Sequence, residues 1–388
     1  MGEVRSQRLQ VLPPYLFVEI DRKKRRAIEA GRDVIDLGIG DPDKPTPKFI
    51  REHMARAIED PANHRYPLEV GVPAFRENAA GFMEHRFGVK LDPQTQVMAV
   101  IGSKEALAHL PLAVVNPGQV VLVPDLGYTV YYAATIFAGG EPYRMALSEK
   151  NGWLPDLDAV PVDVCRKARL MYLNYPNNPT AAVADERFYR RVVEFARKHD
   201  IIVVQDAAYS EVYFDTRPPS ILEIPGAMDV AIEIHSLSKT FNMTGWRIGF
   251  AAGNAEVLAA LAAVKANVDS GQFNAIQAAA AEALAQADHV EVKAVLDIYR
   301  ERRDALVPGL ADSGFAVSKP GATFYVWARC PKGLSSMEVA GRLLDEADVN
   351  MVPGIGFGEP GRDYIRAALT APVDRIREAL DRIARIKW

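Results

Sequence analysis

Residues 236–250 read SLSKTFNMTGWRIGF. Lys239 stands between Ser238 and Thr240, with Ser236 three positions upstream and Arg247 eight downstream. A surface lysine needs no such neighbours. Hydroxyls and a guanidinium spaced this way suit a phosphate dianion, because several charge-assisted hydrogen bonds hold it in one place. A lysine fixed beside a bound phosphate is a nucleophile aimed at whatever the phosphate carries, once its amine is unprotonated.

Other polar residues stand where apolar runs end. TQVMAVIG (95–102) reads as a strand and leads into Ser103 at the start of a helix. Free N–H groups and the helix dipole there favour an anion, although Ser103 taken alone reads more readily as an ordinary N-cap. ARLMYLNYP (168–176) is followed by Asn178, held toward an extended conformation by Pro179. IIVVQDA (201–207) ends in Asp206, with Tyr209 three residues on. Taken singly, Asn178 also reads as a turn residue and Asp206 as an N-cap. DVAIEIHS (229–236) ends in the lysine segment, and RIGFAAG (247–253) follows as another strand. QVVLVPD (119–125) completes the set.

These strands are apolar throughout, as a sheet covered on both faces requires. The helix 184–200 between two of them makes a crossover, so those strands are expected to be parallel. In such sheets ligands bind beyond the carboxyl ends of the strands. A lysine, an aspartate, an asparagine and tyrosines at one mouth, beside an anion-binding helix, ask for an aromatic aldehyde with a phosphate and a ring nitrogen. Pyridoxal phosphate meets each requirement, the aspartate keeping the ring nitrogen protonated so that the ring acts as an electron sink.

Length and composition set bounds. The 388 residues are 49% hydrophobic and 25% charged, with a formal net charge of -4. That is ordinary for a globular enzyme and gives no reason to expect nucleic-acid binding. The basic run RKKRR (22–26) reads as a solvated helix face. Cys165 and Cys330, the two cysteines, lack metal-ligand spacing and read as reduced thiols. No metal is expected. With no apolar signal core and no run long enough to cross a bilayer, a cytoplasmic location away from the membrane is expected.

Beyond about residue 280 the pattern turns to a long helix, ATFYVWAR (322–329), a helix at 335–347, YIRAALT (364–370) and a terminal helix. The expected organisation is an N-terminal arm and part of a small domain at 1–44, a large α/β domain at 45–290, and a small α+β domain at 291–388.

The assembled set resembles the fold type I pyridoxal-phosphate enzymes, and among them the class I/II aminotransferases. LGIGDPD (37–43), HRYP (64–67), GSKEAL (102–107), PDLGYTVY (124–131), NYPNNPT (174–180), DAAYSE (206–211), SLSKTFNMTGWRIG (236–249) and YIRAAL (364–369) carry the resemblance in family order. Within that family the chain is most similar to LL-diaminopimelate aminotransferases. That likeness lies in LPPYLF (12–17), IGSKEALAHLPLAVVNPG (101–118), YPNNPTAAVAD (175–185), VKANVDSGQFNAIQ (264–277) and ATFYVWA (322–328).

The resemblance implies a mostly parallel central sheet between helices plus a small α+β domain. It implies that Lys239 links to the cofactor and then serves as base and acid. Asp206 would pair with the ring nitrogen, and Asn178 and Tyr209 with the phenolic oxygen. Tyr128 would stack on the ring. Ser103, Lys104, Ser236, Ser238 and Arg247 would hold the phosphate. Tyr66 would reach the phosphate of a neighbouring subunit, which makes a homodimer with sites at its interface. Arg366 and Gly40 would bind the α-carboxylate of the amino-acid and 2-oxo-acid substrates. Tyr15 and Lys104 would contact substrate, with Tyr128 and Asn178 beside them, and Asn274 would come across from the partner chain. The alternatives are another amino-acid substrate, an elimination lyase using the same cofactor, or a non-catalytic relative.

Two positions depart from the family pattern. Ala181 stands where NNPTG is usual, so an unusual backbone angle there is either not needed or strained. Leu126 stands where proline is common, which is expected to loosen that loop slightly.

Overall fold

The structure, a computed structural model, describes residues 4–12, 16–68 and 70–388. A short strand, β1 (Ile35–Asp36), comes first. Seven strands then build the main sheet: β2 (Val97–Val100), β3 (Val120–Pro124), β4 (Glu141–Met145), β5 (Ala168–Asn174), β6 (Ile202–Asp206), β7 (Ala231–Ser236) and β8 (Gly249–Gly253). Five more follow: β9 (Ala316–Val317), β10 (Tyr325–Arg329), β11 (Val349–Asn350), β12 (Val352–Pro353) and β13 (Tyr364–Ala368).

The main sheet runs β2-β8-β7-β6-β5-β3-β4. Only β8 runs against its neighbours β2 and β7; the other ladders are parallel. Alternate side chains of each strand enter different cores. Met171, Leu173 and Val203 face the helices Pro73–Phe87, Glu186–His199 and Asn274–Ala285. Leu170, Tyr172, Ile202, Val204, Ile232 and Ile234 face the helices Ser103–Val114, Val130–Phe137 and Ala255–Val268. Burial on both faces is why these strands are apolar without alternation. The sequence reading gave no strand at β4. Its residues EPYRM lie at the sheet edge, mostly exposed or half-buried, so they need little apolar character.

The remaining strands form a four-stranded antiparallel sheet, β12-β13-β10-β9, and the parallel pair β1-β11. Residues near the start of the chain thus pair with residues 349–350. The helix Val290–Asp312 lies beside this layer, and its Arg302 grips Asp43 through two bonds of 2.6 and 2.8 Å and the Leu369 carbonyl at 2.9 Å.

Two local expectations change, at Lys24 and Leu126, and the alternative left open at Ala181 is decided. In RKKRR, Lys24 is buried rather than solvated; its Nζ lies 2.9 Å from Asp36 and 3.0 Å from Asp21. Ala181 adopts φ 59°, so the unusual angle is present. It costs an alanine about 1 kcal/mol. The turn is closed by Ala181 N–H to the Asn177 carbonyl and Asn177 N–H to the Ala182 carbonyl, both 2.9 Å. Leu126 does not loosen its loop. It is wholly buried among Leu147, Trp327, Phe357 and Tyr364, and Gly127 N–H bonds the Phe357 carbonyl at 3.1 Å. Apolar burial there takes the place of proline's rigidity.

Candidate active site

The parallel strands deliver their carboxyl ends to one edge of the sheet, where Asn174, Asp206 and Ser236 are the last residues of β5, β6 and β7. β2 ends at the same edge and feeds Ser103. Because β8 runs the other way, its start lies there too, which brings Arg247 to the same place. A cavity of about 630 Å³ opens over this edge.

Twelve of the residues singled out in the sequence line it: Gly40, Ser103, Lys104, Tyr128, Asn178, Asp206, Tyr209, Ser236, Ser238, Lys239, Arg247 and Arg366. Three do not. Tyr15 lies outside the described residues. Tyr66 is 89% exposed, away from the cavity. Asn274 is buried at the start of its helix and donates to the Arg65 carbonyl at 3.3 Å, next to Tyr66.

At one end, the helix Ser103–Val114 begins after Gly102, whose φ is 73°. A Cβ on Gly102 would run into the Arg247 guanidinium, so only glycine lets the arginine close on the helix start. Arg247 donates to the Thr244 carbonyl at 2.7 Å. Ser236 and Ser238 line the same cavity.

Asp206 is buried, and no helix follows it. Burial pushes its carboxyl up to about 6, although the Tyr131 hydroxyl at 2.7 Å and the Ala208 N–H at 3.2 Å both favour the ionised form. Tyr131 itself stacks on Tyr172 with ring centroids 4.8 Å apart, which fixes the hydroxyl. Burial holds the phenol of Tyr131 well above its ordinary range, so it stays a donor.

Lys239 donates from Nζ to the Gly40 carbonyl at 3.0 Å. Its ammonium lies 5.6 Å from the centre of the Phe324 ring. Gly40 has no room for a Cβ, which would meet the Tyr325 hydroxyl. Tyr325 lies 3.1 Å, hydroxyl to hydroxyl, from Tyr209. Arg366 lies over Tyr325 at 4.1 Å and over Phe357 at 4.7 Å. Its Nη1 donates to Asn178 Oδ1 at 2.7 Å and its Nη2 to the Gly38 carbonyl at 2.8 Å. Its buried Nε has no hydrogen-bond partner among the described residues. A buried guanidinium with a spare donor lacks an acceptor that a carboxylate would provide.

Sequence reasoning missed Tyr131, Tyr325 and Phe357. Tyr131 had a signal, since it lies in PDLGYTVY three positions after Tyr128, where the chain enters the helix Val130–Phe137. The other two come from strands and turns with no local mark of chemistry.

The donor set fits pyridoxal phosphate. It offers hydroxyls, a guanidinium and a helix start for the phosphate, a buried carboxylate for the ring nitrogen, and a lysine amine for the aldehyde. A family model for aminotransferase class I and II matches residues 32–383. The LL-diaminopimelate aminotransferase of Aquifex aeolicus is 53% identical over 383 residues, covering 98% of this chain and 99% of that protein. That of Syntrophobacter fumaroxidans is 52% identical over 389 residues, covering 100% of both. Among solved structures, substrate-bound BacF from Bacillus subtilis superposes with a TM-score of 0.94 at 36% identity, over 99% of this chain and 98% of that one. With the cavity, these likenesses make the chain a member of the class I/II aminotransferases, which are pyridoxal-phosphate-dependent transaminases of fold type I.

Proposed function

We propose that this enzyme transfers the amino group of LL-diaminopimelate to 2-oxoglutarate. The products are glutamate and, after spontaneous cyclisation of the keto acid, tetrahydrodipicolinate. The reaction belongs to the synthesis of lysine and cell-wall precursors in the cytoplasm. Full-length similarity to relatives bearing that activity in their names supports the substrate. The observation that carries the catalytic reading is the meeting of Lys239, Asp206 and Arg366 in one cavity.

Bound pyridoxal phosphate supplies the electrophilic aldehyde and the electron sink. Ser103, Lys104, Ser236, Ser238 and Arg247 hold its phosphate, and Tyr128 covers the ring. Asp206 accepts the ring N–H, its charge held by the Tyr131 hydroxyl. Tyr209, oriented by Tyr325, and the Asn178 amide donate to the phenolic oxygen. Arg366 fixes the plane of the substrate α-carboxylate through its fork, with Gly40 backbone beside it. Lys239 Nζ is the base that takes the Cα proton. Its bond to the Gly40 carbonyl holds it on the side where the carboxylate binds.

The enzyme acts as a homodimer. Tyr66 and Asn274 lie together, outside the cavity of their own chain. In the dimer, Tyr66 reaches the partner's phosphate and Asn274 the partner's substrate.

The half-reaction tests the substrate. Absorbance of the holoenzyme is followed while LL-diaminopimelate, glutamate, aspartate, alanine and phenylalanine are added singly. Conversion with the first two and little change with the rest is expected. Conversion by the others but not by LL-diaminopimelate would instead assign another amino-acid substrate. Arg366→Lys is expected to raise KM for LL-diaminopimelate about 100-fold, since a point charge cannot replace a bidentate fork. Unchanged steady-state kinetics would remove the carboxylate role.

A further inference from the structure

Glu105 is the third residue of the helix that opens at Ser103. Helix starts tolerate carboxylates, but a carboxylate in the first turn repels a phosphate bound at the same helix start. Here that charge is answered from within the protein. Lys265 Nζ lies 3.0 Å from Glu105 Oε2 and 3.1 Å from Asp269 Oδ1, and Lys265 is 0% exposed. His109 Nδ1 lies 2.7 Å from Glu105 Oε1. The ligand atoms of Glu105, His109 and Asp269 all lie within 4.8 Å of one another, a spacing suited to a metal ion. The Lys265 ammonium bonds two of the three and takes the cation's place.

The same pair fixes backbone on both sides of the cavity end. Glu105 Oε2 accepts the Ile101 N–H at 2.9 Å, which pins the turn that carries Gly102 and Ser103. Asp269 Oδ1 accepts the Gly271 N–H at 2.8 Å. The next residue, Gln272, donates to the carbonyl of Trp246 at 2.7 Å. Trp246 immediately precedes Arg247. Ser103 and Arg247, from distant parts of the chain, therefore depend on one buried cluster.

We infer that Lys265 is a positioning residue for the cofactor phosphate. Its buried ammonium offsets the Glu105 carboxylate and ties the helix start at Ser103 to the turn at Arg247. This rests on the reading that Ser103 and Arg247 hold the phosphate. Lys265 touches no substrate; it acts through Glu105 and Asp269.

The test titrates cofactor-free full-length protein with pyridoxal phosphate and, separately, with pyridoxal, which lacks the phosphate. Lys265→Met is expected to weaken pyridoxal phosphate binding about tenfold or more, while pyridoxal binding stays within about twofold. Glu105→Gln with Lys265→Met removes the stranded charge at the helix start and keeps an acceptor for Ile101, but leaves Asp269 without its partner, so affinity is expected to recover part of the loss, by at least about threefold over Lys265→Met alone. Glu105→Gln alone is expected to bind pyridoxal phosphate at least as tightly as wild type. Equal losses for both ligands in Lys265→Met, no recovery in the double variant, or weaker binding in Glu105→Gln would each overturn the inference. Should Lys265→Met not fold, the other two variants decide it. A wild-type protein with no preference for pyridoxal phosphate over pyridoxal would overturn the phosphate reading itself.

Discussion

Lys239→Ala is expected to lower kcat by at least about 10⁴-fold, the upper range of general acid–base catalysis, before any loss of nucleophilic function is added. The phenols of Tyr131 and Tyr209 are pushed well above their ordinary range by burial, so neither offers a base near neutral pH. The fold does not depend on the lysine. Among the described residues its side chain makes one hydrogen bond, to the Gly40 carbonyl, lies over the Phe324 ring and favours the charge of Asp206. Losing them costs about 1 kcal/mol. The variant is expected to keep its thermal transition and to retain pyridoxal phosphate through the phosphate donors, without a covalent link. Steady-state rates, a melting curve and mass spectrometry of the borohydride-treated protein check the three parts. Appreciable turnover by the purified variant would sink the mechanism.

Asp206→Asn is expected to pull activity and stability in opposite directions. A neutral amide cannot hold a ring nitrogen protonated, so kcat is expected to fall about 10²–10³-fold, the size of a lost preorganised charge. Cofactor affinity changes far less, because the phosphate donors remain. Stability follows the carboxyl's titration. Burial raises its folded value from 3.8 to about 6, so the folded state binds the proton more tightly than the unfolded chain. In the cofactor-free protein this group's contribution to stability is fully present below pH 4. It is lost as pH rises from about 4 through about 6, by about 3 kcal/mol in all. Asparagine does not titrate. Cofactor-free Asp206→Asn is therefore expected to be the more stable protein at pH 7.5, with the difference closing toward pH 4. Denaturant unfolding of both proteins across that range measures it. A variant less stable than wild type at pH 7.5 would mean that Asp206 is not held ionised against its burial.

The buried carboxylate, the spare Arg366 donor and the uncapped helix start at Gly102 share a cause. Each is an unfavourable arrangement for an empty protein and a favourable one once a cation, a carboxylate or a phosphate fills it. Local stability is given up where binding recovers it.

Much of this was written locally. Apolar strands ending in polar residues and the helix between β5 and β6 specify a covered parallel sheet, and the serines around Lys239 point to an anion site at one edge. Strand ends and helix starts depend on neighbours in sequence, so Ser103, Asn178, Asp206, Tyr209, Lys239 and Arg247 could be read before any contact was known. Arg366 and Gly40 needed the family resemblance, because neither stands in a run whose chemistry is evident by itself.

Tertiary structure decided what long-range contacts decide. Tyr131 meets Asp206 across 75 positions, and Tyr325 meets Tyr209 across 116. Whether Lys24 is solvated, whether Leu126 loosens its loop, and whether Ala181 takes a left-handed angle also waited on what packs against each. Lys265 carries the same lesson: its sequence neighbourhood is an ordinary helix, and only folding brings Glu105 to it from 160 positions away. A side chain's charge and size are properties of the residue, but its desolvation and its partners are properties of everything that surrounds it.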